Sequence, residues 1–264
     1  MLVPDREVPG AFVVRIGGAD QSFVDPADPL RLEFDYVQQI ADVVNTMAPV
    51  GQRLSVVHVG GAGMTIPRYV AATRPTSAQI VLEPDAGLTE QVRSVMPLAR
   101  TSGIKVRAVD GRTGLAELRA DYADLVVVDA FAGAQVPAEL GTAEWFTDIA
   151  RVLKSGGTCV MNLTDSAPFL YARRIAASFL AHFSPVVCAA EPSTLKGRRF
   201  GNLVMTGGSG ADYDRLVRRA AGSAFPYRLL DLAWLRSWAS QAVPFTDADA
   251  EPSPYPPHGP TAFR

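Results

Sequence analysis

Four apolar runs in this chain end in residues that can do chemistry. The first, Leu54-Ser55-Val56-Val57-His58-Val59, stops in Gly60-Gly61-Ala62-Gly63, and a helical pattern starts near Pro67. Glycines let the chain turn sharply there and bring backbone N–H groups, with those of the helix N-terminus, up to a ligand. Thr65 is placed to cap that helix, and Pro67 fits its first turn, where a missing N–H costs nothing. The second run, Gln79-Ile80-Val81-Leu82, ends in Glu83. It lies about twenty residues past the glycines, where a carboxylate can accept from both hydroxyls of a ribose. The third run is followed by Asp110-Gly111, and the fourth, Leu125-Val126-Val127-Val128, ends in Asp129. Gly60, Gly61, Gly63 and Glu83 together predict a nucleoside site. Asp110 could accept from an adenine amino group, and Asp129 could orient or deprotonate an amine nucleophile. Capping of the following helices is the alternative for Asp110 and Asp129.

These groups meet only if the runs are neighbouring strands with their C-terminal ends together. Strand patterns over 54–59, 79–82, 104–108, 124–128 and 158–162 alternate with helical patterns over 66–73, 86–97, 112–119 and 143–153. Such alternation predicts a doubly wound, mostly parallel α/β sheet with right-handed crossovers and its ligands at the strand C-ends. A further helix over 169–183 leads to an antiparallel pair, 185–190 and 200–206, joined by the basic loop Lys196-Gly197-Arg198-Arg199, for seven strands in all. Before the sheet, a helix over 32–47 carries Phe34, Val37, Ile40, Ala41 and Val44 at core spacing and is broken by Pro49-Val50-Gly51. Residues 11–24 read as a β-hairpin around Gly17-Gly18, whose open edge could pair two copies into a homodimer. Residues 212–221 and 229–241 read as peripheral helices. The chain therefore divides into a hairpin segment (1–30), a Rossmann-like domain (31–243) and a proline-rich acidic tail (244–264). The tail cannot form a core of its own, so it either packs along the surface or stays disordered.

Composition narrows the function. With 48% hydrophobic residues and a net charge of -2, the chain reads as a globular protein without bulk affinity for nucleic acid. No apolar run approaches a membrane span, and no signal peptide pattern is visible. Cys159 and Cys188 are isolated, and His58, His182 and His258 are far apart, so no metal site is expected. A cytoplasmic protein acting on a small molecule is the expectation.

The order of the motifs narrows it further. The hairpin, Phe34-Asp35-Tyr36, Val59-Gly60-Gly61-Ala62-Gly63, Glu83-Pro84-Asp85, Val109-Asp110-Gly111, Val127-Val128-Asp129 and Leu153-Lys154-Ser155-Gly156-Gly157 follow one another as in the spermidine synthases. The chain resembles these aminopropyltransferases, and most of all their actinobacterial spermidine-synthase-like members, over about residues 11–206. The resemblance implies a class I S-adenosylmethionine-dependent methyltransferase fold. It also implies that Glu83 and Asp110-Gly111 hold the nucleoside of decarboxylated S-adenosylmethionine or methylthioadenosine, with Pro137 near the adenine. Asp129 would be the proton acceptor, and Tyr36 would line the amine pocket.

Departures from the family pattern concern the amine. Gly63 stands where the family has an aspartate, and Asp129-Ala130-Phe131-Ala132 lacks the second acid of a DxxD motif. Val37 replaces a His or Gln, the N-terminal β-segment is short, and the loop expected over the amine carries Lys196, Arg198 and Arg199. An ammonium needs a carboxylate partner in a cleft. These changes therefore predict weak diamine binding, a neutral or anionic second ligand, and a gain of diamine affinity on restoring acids at Gly63 and Ala132. Three functions follow: an aminopropyltransferase with an unusual acceptor, an S-adenosylmethionine-dependent methyltransferase, and a non-catalytic nucleoside-binding module. A dinucleotide oxidoreductase is disfavoured because Ile66 replaces the third glycine of G-x-G-x-x-G.

Overall fold

A computed structural model describes residues 1–47, 49, 51–257 and 259. Val50, His258 and the last residues of the acidic tail lie outside the described residues. Two sheets form. Strands β1 (Leu2–Pro4), β2 (Phe12–Ile16) and β3 (Ala19–Val24) make a small antiparallel sheet, so the expected hairpin gains a third strand along the β2 edge.

The large sheet contains β4 (Ser55–Val59), β5 (Ala78–Leu82), β6 (Ile104–Arg107), β7 (Ala123–Val128), β8 (Leu153–Asp165), β9 (Val186–Ala190), β10 (Gly201–Gly208) and β11 (Arg228–Leu230). Their order is β11-β9-β10-β8-β7-β4-β5-β6. Strands β4 to β8 pair in parallel, while β10 pairs antiparallel with both β8 and β9. Among the described residues the sheet thus has eight strands rather than seven. Its extra edge strand, β11, occupies the start of the segment expected to be helical from residue 229. Its three residues carry no periodicity, and pairing with β9 decides their state.

Strand β4 shows why the fold forms as it does. Val56, Val57 and Val59 are all buried, as a strand covered on both faces requires. Helices α1 (Asp35–Thr46) and α2 (Thr65–Thr73) cover one face, joined by α8 (Tyr213–Ala221), while the short α7 (Pro192–Leu195) lies between β9 and β10 in the chain. The other face takes α4 (Gly111–Ala116), α5 (Ala143–Val152), α6 (Leu170–His182) and α9 (Leu232–Trp238), with α5 contributing Trp145, Phe146, Ile149 and Val152 to the core. Helix α3 (Ala86–Val95) packs Leu88 and Val92 against Val14 and Val24 of the small sheet, which anchors that sheet beside the glycine turn. The strand order reverses at β4, between β5 and β7, so the crevice at their C-terminal ends is the natural ligand site.

The tail after residue 243 is held along the surface. Phe245 is buried, and its carbonyl accepts from Ala143 N at 2.7 Å. Arg112 pairs with Asp247 and Arg174 with Asp249. Ser253 is fully buried against the loop that follows β7: its N donates to Val136 O (3.1 Å), and its Oγ accepts from Val136 N (2.9 Å).

Candidate active site

The glycine turn after β4 is built around Glu83. Its Oε2 accepts from Gly61 N (2.9 Å) and Ala62 N (3.1 Å), and its Oε1 accepts from Asp85 N (3.0 Å). A carboxylate offers about four acceptor directions, so one remains for a ligand hydroxyl. Gly60 must be glycine: its φ is +92°, and a Cβ there would sit 2.2 Å from Asp129 O. This close approach, with Asp129 N donating to Val59 O at 2.9 Å, ties the turn to the end of β7. Thr65 is not the cap of α2, since it is the helix's first residue and its Oγ1 donates to Phe23 O (2.7 Å). Met64, in the left-handed region, ends the turn instead.

Gly63 faces away from the crevice. Its N donates to Ser22 Oγ (3.2 Å), and a Cβ would meet Val24 Cγ2 at 2.7 Å and Ser22 Cβ at 2.9 Å. The small sheet fills the space that an acid would need. Gly63 is therefore a packing position beneath the small sheet, and its lack of a carboxylate says nothing about the second ligand.

The two roles left open for the aspartates separate. Asp110 caps α4, accepting from Thr113 N at 2.8 Å, and that bond lowers its pKa. Asp129 caps nothing: its Oδ1 accepts from Asn162 Nδ2 (3.0 Å), and its carboxylate accepts from the Tyr36 hydroxyl. Burial pushes Asp129 up to about 6, against the pull of those two hydrogen bonds. Tyr36 is raised well above its ordinary value by burial and by the adjacent negative charge, so it remains a donor. His58, beneath the turn, is depressed to about 4 by burial and bonded through Nε2 to Gln79 Oε1 (2.8 Å), which makes it a neutral structural group.

Two adjoining cavities result. One, of about 390 Å³, is lined by Gly60, Gly61, Ala62, Glu83, Asp110, Gly111, Pro137 and Asp129. The other, of about 430 Å³, is lined by Asp20, Glu33, Asp35, Asn162 and Arg199. Tyr36, Gln21 and Phe131 line both, so the Tyr36–Asp129 pair stands at the junction. The crevice thus gathers every sequence-predicted site residue except Gly63, which is turned away, and Arg198, which is exposed. Arg199 reaches the second cavity but is ion-paired with Glu191. The basic loop is therefore partly neutralised, which removes the ground for expecting an anionic second ligand. Asn162 and Glu191 were not foreseen, and Asp35 entered only within the motif Phe34-Asp35-Tyr36, with no role of its own. Only Asn162 left a signal, as a polar residue inside the apolar run Val160-Met161-Asn162-Leu163.

No protein-family model matches the chain. Over 152 residues it is 27% identical to the polyamine aminopropyltransferase of Vibrio vulnificus (strain CMCP6); the match covers 56% of this chain and 49% of that one, about half the relative's length. Among solved structures, a probable spermidine synthase from Corynebacterium glutamicum ATCC 13032 superposes with a TM-score of 0.85 and 29% identity, over 93% of this chain and 92% of that one. A spermidine synthase in complex with the transition-state analogue AdoDATO shares the fold, with a TM-score of 0.57 and 15% identity over 89% of this chain and 78% of that one. In sequence and in fold alike, this chain is similar to the spermidine synthases.

Proposed function

We propose that the chain is an aminopropyltransferase that moves the aminopropyl group of decarboxylated S-adenosylmethionine to an amine. One observation carries the reading: a carboxylate with a pKa near 6, Asp129, is held by Tyr36 and Asn162 where a nucleoside-sized cavity opens into a second cavity. Both volumes fall within the range of small-ligand sites.

In this scheme Glu83 takes a ribose hydroxyl and the glycine turn supports the nucleoside, with Asp110 and Pro137 at its adenine end. The acceptor presents a neutral nitrogen beside Asp129. Its lone pair attacks the aminopropyl carbon next to the sulfonium. The C–S bond breaks with its electron pair going to sulfur, leaving neutral methylthioadenosine. The new C–N bond makes the nitrogen cationic and its N–H acidic, and ionised Asp129 accepts that proton. Tyr36 and Asn162 keep the carboxylate aimed, which counts for as much as its basicity.

The methyltransferase alternative drew its motive from Gly63, and that residue points into the small sheet rather than at a ligand. Calorimetric titration with decarboxylated S-adenosylmethionine, S-adenosylmethionine, methylthioadenosine and NAD tests the proposal, together with methylthioadenosine release in the presence of amines. Binding of the first and third, with amine-dependent release, is the expected result. Methyl transfer from S-adenosylmethionine without aminopropyl transfer would refute it.

A further inference from the structure

The second cavity contains two groups that the protein leaves without partners. Asp35, at the start of α1, makes no hydrogen bond or ion pair among the described residues, although it lines the cavity. Burial and the charge of Glu191 raise its pKa, with Arg199 opposing. The other acids on that wall are already engaged: Asp20 with Arg15, and Glu33 at 3.9 Å from Arg31. The second group is Asn162, only 1% exposed. Its Nδ2 donates to Asp129, and its Oδ1 is buried with no hydrogen-bond partner. An ionised carboxylate can only accept, so Asp129 fixes the amide with nitrogen toward itself and leaves the oxygen for something else. A buried acceptor without a donor is costly. One cavity thus holds an unpaired carboxylate and an orphaned carbonyl, and both call for N–H donors.

We infer that Asp35 and Asn162 determine acceptor specificity: Asn162 Oδ1 accepts from the attacking amine beside Asp129, and Asp35 pairs with a second cationic group of the acceptor. The inference rests on the proposed aminopropyl transfer and extends it to two residues to which the sequence resemblance assigns no role. With Asp20 and Glu33 engaged by arginines, Asp35 is the acid of this cavity left to partner a second ammonium. Arg199 does not make the cavity anionic-selective, because Glu191 already pairs with it.

The test uses protein saturated with methylthioadenosine, titrated with 1,4-diaminobutane and with 1-aminobutane, and repeated without the nucleoside. Wild type should prefer the diamine by about tenfold or more, the usual worth of a charge-assisted contact. Asp35→Asn should abolish that preference by weakening the diamine about tenfold to a hundredfold, with 1-aminobutane and methylthioadenosine affinities unchanged; Asp35→Glu should restore it. Asn162→Leu should weaken both amines and shift the acidic limb of the pH–rate profile upward, because Asp129 loses a donor. Equal affinities of wild type for the two amines overturn the inference, as does discrimination that survives in Asp35→Asn, or amine binding of neither kind. Loss of methylthioadenosine binding counts against the proposed transfer instead, and the titrations without nucleoside still read the Asp35-dependent discrimination.

Discussion

Replacing Asp129 with asparagine should make the protein more stable and nearly abolish the proposed transfer. The carboxylate titrates near 6 in the folded chain against an ordinary 3.8, a difference of about two pH units. At 1.36 kcal/mol per unit, that is about 3 kcal/mol for a fully desolvated group. Asp129 keeps partial contact with water, so about 2 kcal/mol is the better figure. The sign follows from proton counting. Between pH 4 and 6 the folded state holds a proton that the unfolded state has lost, so stability falls as pH rises through that window. The substituted amide cannot titrate, and its oxygen can still accept from Asn162. Melting temperatures of wild type and Asp129→Asn should therefore coincide near pH 4 and diverge by about 4–8 °C in favour of the variant by pH 8. Over the same range, transfer by the variant should fall by about 10²–10⁴, the usual worth of a positioned base, while methylthioadenosine affinity holds. The wild-type rate should climb with pH through about 6. A melting difference that is flat from pH 4 to 8 would show that Asp129 is not held up by burial. Transfer within about threefold of wild type would remove it from the chemistry.

Glu83→Gln leaves one of three N–H donors without an acceptor and loses the ribose contact; methylthioadenosine affinity measured by calorimetry should fall about tenfold to a hundredfold, with a lower melting temperature. Gly63→Asp should destabilise by about 1–3 kcal/mol in urea unfolding and gain no diamine affinity, because its Cβ collides with Val24 and Ser22. Ser253→Ala strips Val136 N of its acceptor. Hydrogen exchange over 131–136 should quicken, KM should rise for both substrates, and the melting temperature should fall by a few degrees, about 1–3 kcal/mol for a buried donor left unpaired.

Where sequence reading succeeded, neighbouring residues carried the information. The runs ending in Gly60, Glu83, Asp110 and Asp129 are buried parallel strands, and a parallel sheet delivers their ends to one crevice whatever the loops do. Where it failed, the deciding partner lay elsewhere in the chain. Gly63 has its orientation set by Ser22 and Val24, about forty residues earlier in the chain. Arg199 reads as a lone cation until Glu191, at the other end of the short helix Pro192–Leu195, is seen to pair with it. Three-residue strands such as Leu2–Pro4 and Arg228–Leu230 exist only through their pairing. The tail carried no helix or strand signal, yet Phe245 and Ser253 are as buried as core residues.

The distribution of cost within the molecule bears on whether the site works or merely binds. A chain that kept only nucleoside affinity would need the glycine turn, Glu83 and Asp110, all of which have local partners. It would have no use for Asp129 held near 6 by burial, nor for Asn162 with an orphaned oxygen. Each lowers stability, and a leucine at 162 would fill the same apolar strand without an orphaned oxygen. Backbone strain does not separate the two readings: Ala62 (φ 36°) and Met64 (φ 61°) belong to the nucleoside turn and Ala134 (φ 83°) to the loop that Ser253 pins, while Thr76, Asp121 and Phe169 lie elsewhere. A desolvated carboxylate and an orphaned amide oxygen meet at one point of the crevice, which is where perturbed groups of a reacting site cluster. On that ground a catalytic role for Asp129 is the stronger reading than a nucleoside-binding module without chemistry.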